Sequence, residues 1–104
     1  MGFGATGIAF DGTNMWALVG DNATELSPAG ATLGTFPVGD TPVAIAFDGT
    51  NMWVTNVAGS NVTELSPTGA TLGTFAVGSH PYGIAFDGTH MWVTNALDNT
   101  ITEL

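Results

Sequence analysis

Apolar residues along the chain fall in short runs closed by Gly, Pro, Asp, Asn or Ser, and no run has the spacing or length of a helix. Four β-prone runs can be read in one stretch of sequence. They are Gly83 to Phe86 (A), Met91 to Thr94 (B), Thr100 to Leu104 (C) and, one copy earlier, Ala70 to Val77 (D). Asp-Gly-Thr-Asn separates A from B, Ser-Pro-Thr-Gly separates C from D, and Gly-Ser-His-Pro-Tyr-Gly returns the chain from D to the next A, which is turn chemistry at every junction. The apolar residues occupy both parities of each strand. Such strands are covered on both faces, whereas a half-solvated sheet would alternate apolar with polar residues.

The runs repeat. Ile8 to Trp16 returns unchanged as Ile45 to Trp53, and again as Ile84 to Trp92 with only His90 in place of Asn. Thr24 to Phe36 returns as Thr63 to Phe75 with one change, and its opening appears a third time as Thr102-Glu103-Leu104. Trp16 to Trp53 spans 37 residues and Trp53 to Trp92 spans 39, the difference falling between Trp and the next Glu-Leu. Length changes of this kind are tolerated in exposed connections, so Val19 to Asn22, Asn56 to Asn61 and Asn95 to Asn99 are predicted to be the B-to-C loops.

Four antiparallel strands per repeat of about 40 residues is the pattern of a β-propeller blade. The expectation is an all-β propeller fragment in a single unit, 1–104, with blade 1 at about 7–39, blade 2 at about 44–78 and blade 3 at about 83–104. The third blade lacks its outer strand, because Met1 to Thr6 does not carry the Ala-Thr-Leu-Gly-Thr-Phe pattern that would replace it. Small residues Ala9, Ala46 and Ala85 in strand A suit a crowded position near the ring axis. An arc of three blades would expose two apolar faces, so association is expected, with a homodimer closing a six-bladed ring as the first choice and a homotrimer as the second.

Pro81 to Asn95, Pro-Tyr-Gly-Ile-Ala-Phe-Asp-Gly-Thr-His-Met-Trp-Val-Thr-Asn, resembles the YVTN class of propeller repeats and is similar to repeats of the virginiamycin B lyase and NHL propellers. The resemblance implies that strand A lines the central channel and that the D-to-A and B-to-C loops share one face. It does not imply one activity, since such repeats serve lyases, hydrolases, adhesins and scaffolds.

Composition narrows the partners. The chain has nine acidic residues and neither Lys nor Arg, a formal charge of -9, so neither nucleic acid nor an anionic membrane is an expected partner. It has no Cys, hence no disulfide, thiol nucleophile or thiolate zinc site, and no cofactor is expected. No signal peptide or membrane-spanning run is legible, and a soluble protein of open compartment is the expectation.

The candidate chemistry is thin. Asp11, Asp48 and Asp87 could form a carboxylate circle for a hard cation such as Ca²⁺, although Asp before Gly is ordinary turn chemistry. The three tryptophans could stack on a sugar, but their identical place in strand B favours packing between blades. Glu25, Glu64 and Glu103 read as solvated strand positions. His80 and His90 could act as bases, yet they replace Thr41 and Asn51 at opposite ends of a blade and cannot share one proton transfer. Variable loops carry the best binding candidates, His80, Tyr82, Asn56, Asn95 and Asp98, with Asp21 and Asp40 adding charge. A non-catalytic scaffold or binding module is therefore expected, with a lyase- or lactonase-like enzyme and a glycan-binding lectin as alternatives.

Overall fold

The computed structural model describes residues 4–104. They form eleven strands and, among the described residues, no helix: β1 (Ala5–Phe10), β2 (Met15–Val19), β3 (Asn22–Leu26), β4 (Thr32–Pro37), β5 (Pro42–Phe47), β6 (Met52–Asn56), β7 (Asn61–Leu65), β8 (Thr71–Ala76), β9 (Pro81–Phe86), β10 (Met91–Asn95) and β11 (Thr100–Glu103). The strands make three antiparallel meanders, β1-β2-β3-β4, β5-β6-β7-β8 and the three-stranded β9-β10-β11. Run A begins two residues earlier than the turn residues suggest, since Pro81 pairs with Asn95 across a register shift. The same irregularity breaks the pairing of β1 and β5 with their neighbours, which adds twist where these strands approach one another. Of Met1 to Thr6, residues 1–3 lie outside the described residues, while Ala5 and Thr6 already belong to β1.

The turns obey their residues. The two-residue B-to-C turn of the first sheet opens with Gly20 at φ 62°, the left-handed conformation that a tight hairpin needs. The second sheet closes the same hairpin with four residues between the paired Asn56 and Asn61, so the length change sits where the sequence placed it.

Each sheet is packed by its neighbour. Trp16, Leu18 and Ala23 of the first sheet bury against Ile45, Met52, Val54 and Leu65 of the second, with Ala9, Phe36 and Phe47 at the margin. Strict alternation along the strands assigns the faces: Trp16 and Leu18 point forward to the next sheet, while Met52 and Val54 point back to the previous one. The alanines of β1, β5 and β9 lie opposite the tryptophans, as Ala9↔Trp16, Ala46↔Trp53 and Ala85↔Trp92, where a small side chain leaves room for the indole. Two innermost strands, β1 and β5, approach closely at Gly7. A Cβ there would stand 3.1 Å from the Val43 carbonyl oxygen and 3.2 Å from the Ala44 Cα. No helix among the described residues is long and apolar enough to cross a membrane.

Candidate functional site

The A-to-B turns use their aspartates completely. Asp11 Oδ1 accepts the backbone N–H groups of Thr13 (2.8 Å) and Asn14 (2.6 Å), and its Oδ2 accepts the indole N–H of Trp16 (2.8 Å). Asp48 does the same with Thr50, Asn51 and Trp53, and Asp87 with Thr89, His90 and Trp92. One residue thus closes the turn and fixes the ring that packs the next interface. Partial burial opposes the charge of Asp11 and Asp48, but these donors outweigh it and hold both carboxyls below the ordinary 3.8. At exposed Asp87 the His90 amide, the Trp92 indole and the Thr89 amide bring the value to about 2. Each candidate of the carboxylate circle is therefore turned toward its own hairpin. Among the described residues no group of three or more His, Asp or Glu is placed to hold a metal ion.

The glutamates are partnered rather than merely solvated. Asn14 Nδ2 donates to Glu25 Oε2 and Asn51 Nδ2 to Glu64 Oε2, both at 2.9 Å. In the third sheet His90 takes the place of Asn, and its Nδ1 lies 3.3 Å from Glu103 Oε2. The substitution keeps the tie between the A-to-B turn and the third strand, which the repeat pattern did not reveal. It also gives Glu103 an ionisable partner, where Glu25 and Glu64 have a carboxamide.

At the opposite end, the five loop candidates separate into two kinds. Asn56 and Asn95 are buried, 0% and 2% exposed. Asn56 Oδ1 accepts the Gly39 N–H (3.1 Å), and its Nδ2 donates to Asn61 Oδ1 and Thr63 Oγ1, both at 2.9 Å. Asn95 makes the corresponding bonds to Gly78, Thr100 and Thr102. These two residues are pins between one sheet and the incoming loop, and neither presents its amide to solvent. Gly39 is required by this arrangement, since a Cβ there would stand 2.5 Å from the Asn56 Cγ.

Asp98 is exposed, yet it accepts the Ser79 N–H at 3.1 Å and the Thr100 hydroxyl at 2.9 Å. The Ser79 amide and the Thr100 hydroxyl lower its carboxyl below the ordinary value. His80 sits beside it at φ 55°, as Thr41 does at φ 56° in the equivalent loop, and the carbonyl of each accepts a backbone N–H from the facing hairpin. A β-branched residue in this conformation is strained, and the hydrogen bond holds it there. Tyr82, 57% exposed, lies on β9 with its carbonyl oxygen accepting the Thr55 hydroxyl of the second sheet at 3.0 Å. His80, Asn95 and Asp98 are thus brought to one end of the third sheet. His80 precedes β9 and His90 follows it, so six strand residues, roughly 20 Å, separate the two histidines.

The larger cavity lies at the other end from these loops. It measures about 460 Å³ between the first two sheets and is lined by Asp11, Thr13, Asn14 and Glu25 on one side and Phe47, Gly49, Thr50 and Pro67 on the other. A smaller one of about 70 Å³ lies between the second and third sheets, beside Trp53, Phe86 and Leu104. Both are products of the joint between sheets.

No protein-family model and no curated protein sequence matches the chain. Solved structures do. A Kuenenia stuttgartiensis hydrazine synthase chain superposes with a TM-score of 0.87 over 97% of this chain and 32% of its own, at 21% identity. Virginiamycin B lyase of Staphylococcus aureus gives 0.75 over 96% and 40% at 16% identity, and a streptogramin B lyase gives 0.70 over 86% and 36% at 19% identity. The chain spans between about a third and two fifths of the length of these matches. Likeness at such identity carries the architecture and no activity. The three meanders, packed face to face with β1, β5 and β9 innermost, are blades of a β-propeller.

Proposed function

We propose that this chain is a non-catalytic propeller module that acts as a scaffold. The observation that carries this reading is how its ionisable groups are used. Asp11, Asp48 and Asp87 are bound on both oxygens within their own turns, Glu25 and Glu64 are tied to asparagines, and Glu103 is tied to His90. An acid-base mechanism needs two such groups converging on one reacting bond with a free lone pair or proton. His80, the remaining candidate base, stands a full strand length from the pair formed by His90 and Glu103, and Asp98 beside it is bound on both oxygens by the Ser79 amide and the Thr100 hydroxyl.

The names of two structural neighbours bring a lyase reading with them. A turnover screen on lactone and ester substrates separates the two. No saturable turnover is expected, and turnover that is lost in His80→Ala would overturn the scaffold reading.

A further inference from the structure

Equivalent residues of the three blades are buried to different extents, and the order is informative. Trp16 is 0% exposed, Trp53 is intermediate and Trp92 is 40% exposed, so forward faces lose cover along the chain. Backward faces show the reverse. Ile8 is 66% exposed whereas Ile45 is 8%, and Phe10 is 56% exposed whereas Phe47 is half-buried. The uncovered backward face of blade 1 thus repeats the residues by which blade 2 receives blade 1: Ile8, Phe10, Met15, Ala17 and Leu26 stand for Ile45, Phe47, Met52, Val54 and Leu65. The uncovered forward face of blade 3 repeats the residues by which blade 2 receives blade 3, with Trp92, Thr94 and Ile101 standing for Trp53, Thr55 and Val62.

We infer that the forward face of blade 3 is the docking surface for blade 1 of a second copy of this chain, forming a seam that continues the two internal joints. Three further observations select a second copy. Strands β1 and β2, which supply most of the receiving face, contain no charged residue, so the contact brings no like charges face to face there. Thr55 Oγ1 bridges blades by donating to the Tyr82 carbonyl, and the equivalent across the seam is Thr94 donating to the partner's Thr6 carbonyl. Two copies of these three blades make six, within the range of about four to eight with which propellers close. The two-fold axis then runs down the channel.

The second copy also completes a site that one chain only half builds. The 460 Å³ cavity between blades 1 and 2 has its counterpart at the seam, with Asp87, His90 and Glu103 on one wall and Phe10, Thr13 and Pro28 of the partner subunit on the other. This pocket alone carries an imidazole where the internal one carries the Asn14 carboxamide. His90 therefore reports the seam, whereas His80, in the loop between blades 2 and 3, does not.

Sedimentation equilibrium at micromolar concentration tests the inference. Twice the 10.6 kDa chain mass is expected, with association strengthened by salt because two chains of charge -9 repel while the seam is apolar. Ile8→Glu and Ile101→Glu should each sediment as monomers with an unchanged β spectrum, while Leu72→Glu, on the outer strand of blade 2, should remain dimeric. An equimolar mixture of Ile8→Glu and Ile101→Glu should recover a dimer, since each retains one intact face, and that recovery also shows both variants folded. The imidazole resonances of His90, and not of His80, should differ between wild type and Ile8→Glu. A monomer at all salt concentrations, a trimer or open polymer, a dimer indifferent to Ile8→Glu, or a mixture of folded variants that stays monomeric would each overturn the seam.

Discussion

Replacing Asn56 with Ala removes a side chain that makes three hydrogen bonds and has no exposed surface. Two of its partners are left without replacement: the Gly39 N–H, in the loop entering blade 2, and the Thr63 hydroxyl, only 3% exposed. A buried polar group deprived of its partner costs about 1–3 kcal/mol, and two such groups give roughly 3 kcal/mol, with Asn61 at the surface able to turn to water. For a domain of this size that corresponds to a fall in Tm on the order of 15 °C. Urea unfolding followed by tryptophan fluorescence provides the measurement. Asn56→Val, which installs the residue that blade 1 carries as Val19, should fail to restore stability because it cannot accept the Gly39 N–H. Tyr82→Ala, at an exposed position, should change stability by less than about 0.5 kcal/mol. If Asn56→Ala were as stable as wild type, the pin would be an ornament and Asn56 would return to the binding candidates.

Two further outcomes follow from the same contacts. The carboxyl of Asp87 is at about 2 in the folded state against 3.8 ordinarily, so its contribution is present above 3.8 and is lost as pH falls through the folded value; Asp11 and Asp48 act in the same direction. The urea midpoint should therefore decline between about pH 4 and pH 2, less steeply in Asp48→Asn, and a flat profile over that window would contradict the turn assignment. Gly7→Ala places a methyl against the backbone of Val43 and Ala44 at 3.1–3.2 Å and should cost about 1–3 kcal/mol by differential scanning calorimetry, whereas an unchanged Tm would show that β1 and β5 do not approach closely.

The architecture was legible because blades are made of local hairpins, and each turn is written in short-range chemistry such as Asp11-Gly12 and Ser27-Pro28. The repeat then supplied the long-range order. Polar tertiary contacts were harder to read. Asn56 and Asn95 looked like loop residues since they follow Met-Trp-Val-Thr and precede a variable stretch, but the strand continues through them and alternation turns them inward. Nothing local announces that Gly39, 17 residues upstream, supplies the donor. The tie between His90 and Glu103 was hidden for the same reason, because register across β10 and β11 brings the two together and sequence distance does not. Repetition did give one usable sign: a Glu recurring in step with a polar turn residue marks a pair.

The blades pack face to face in one direction, and the graded cover of equivalent tryptophans records an open arc. Incorporation of 5-fluorotryptophan, with the solvent isotope shift measured for each of the three ¹⁹F resonances, tests this residue by residue. In Ile8→Glu the shift should be absent for Trp16, intermediate for Trp53 and largest for Trp92, and in wild type at micromolar concentration the Trp92 shift should fall to that of Trp53. Equal shifts for all three in Ile8→Glu, or a Trp92 shift that is the same in both proteins, would contradict this packing.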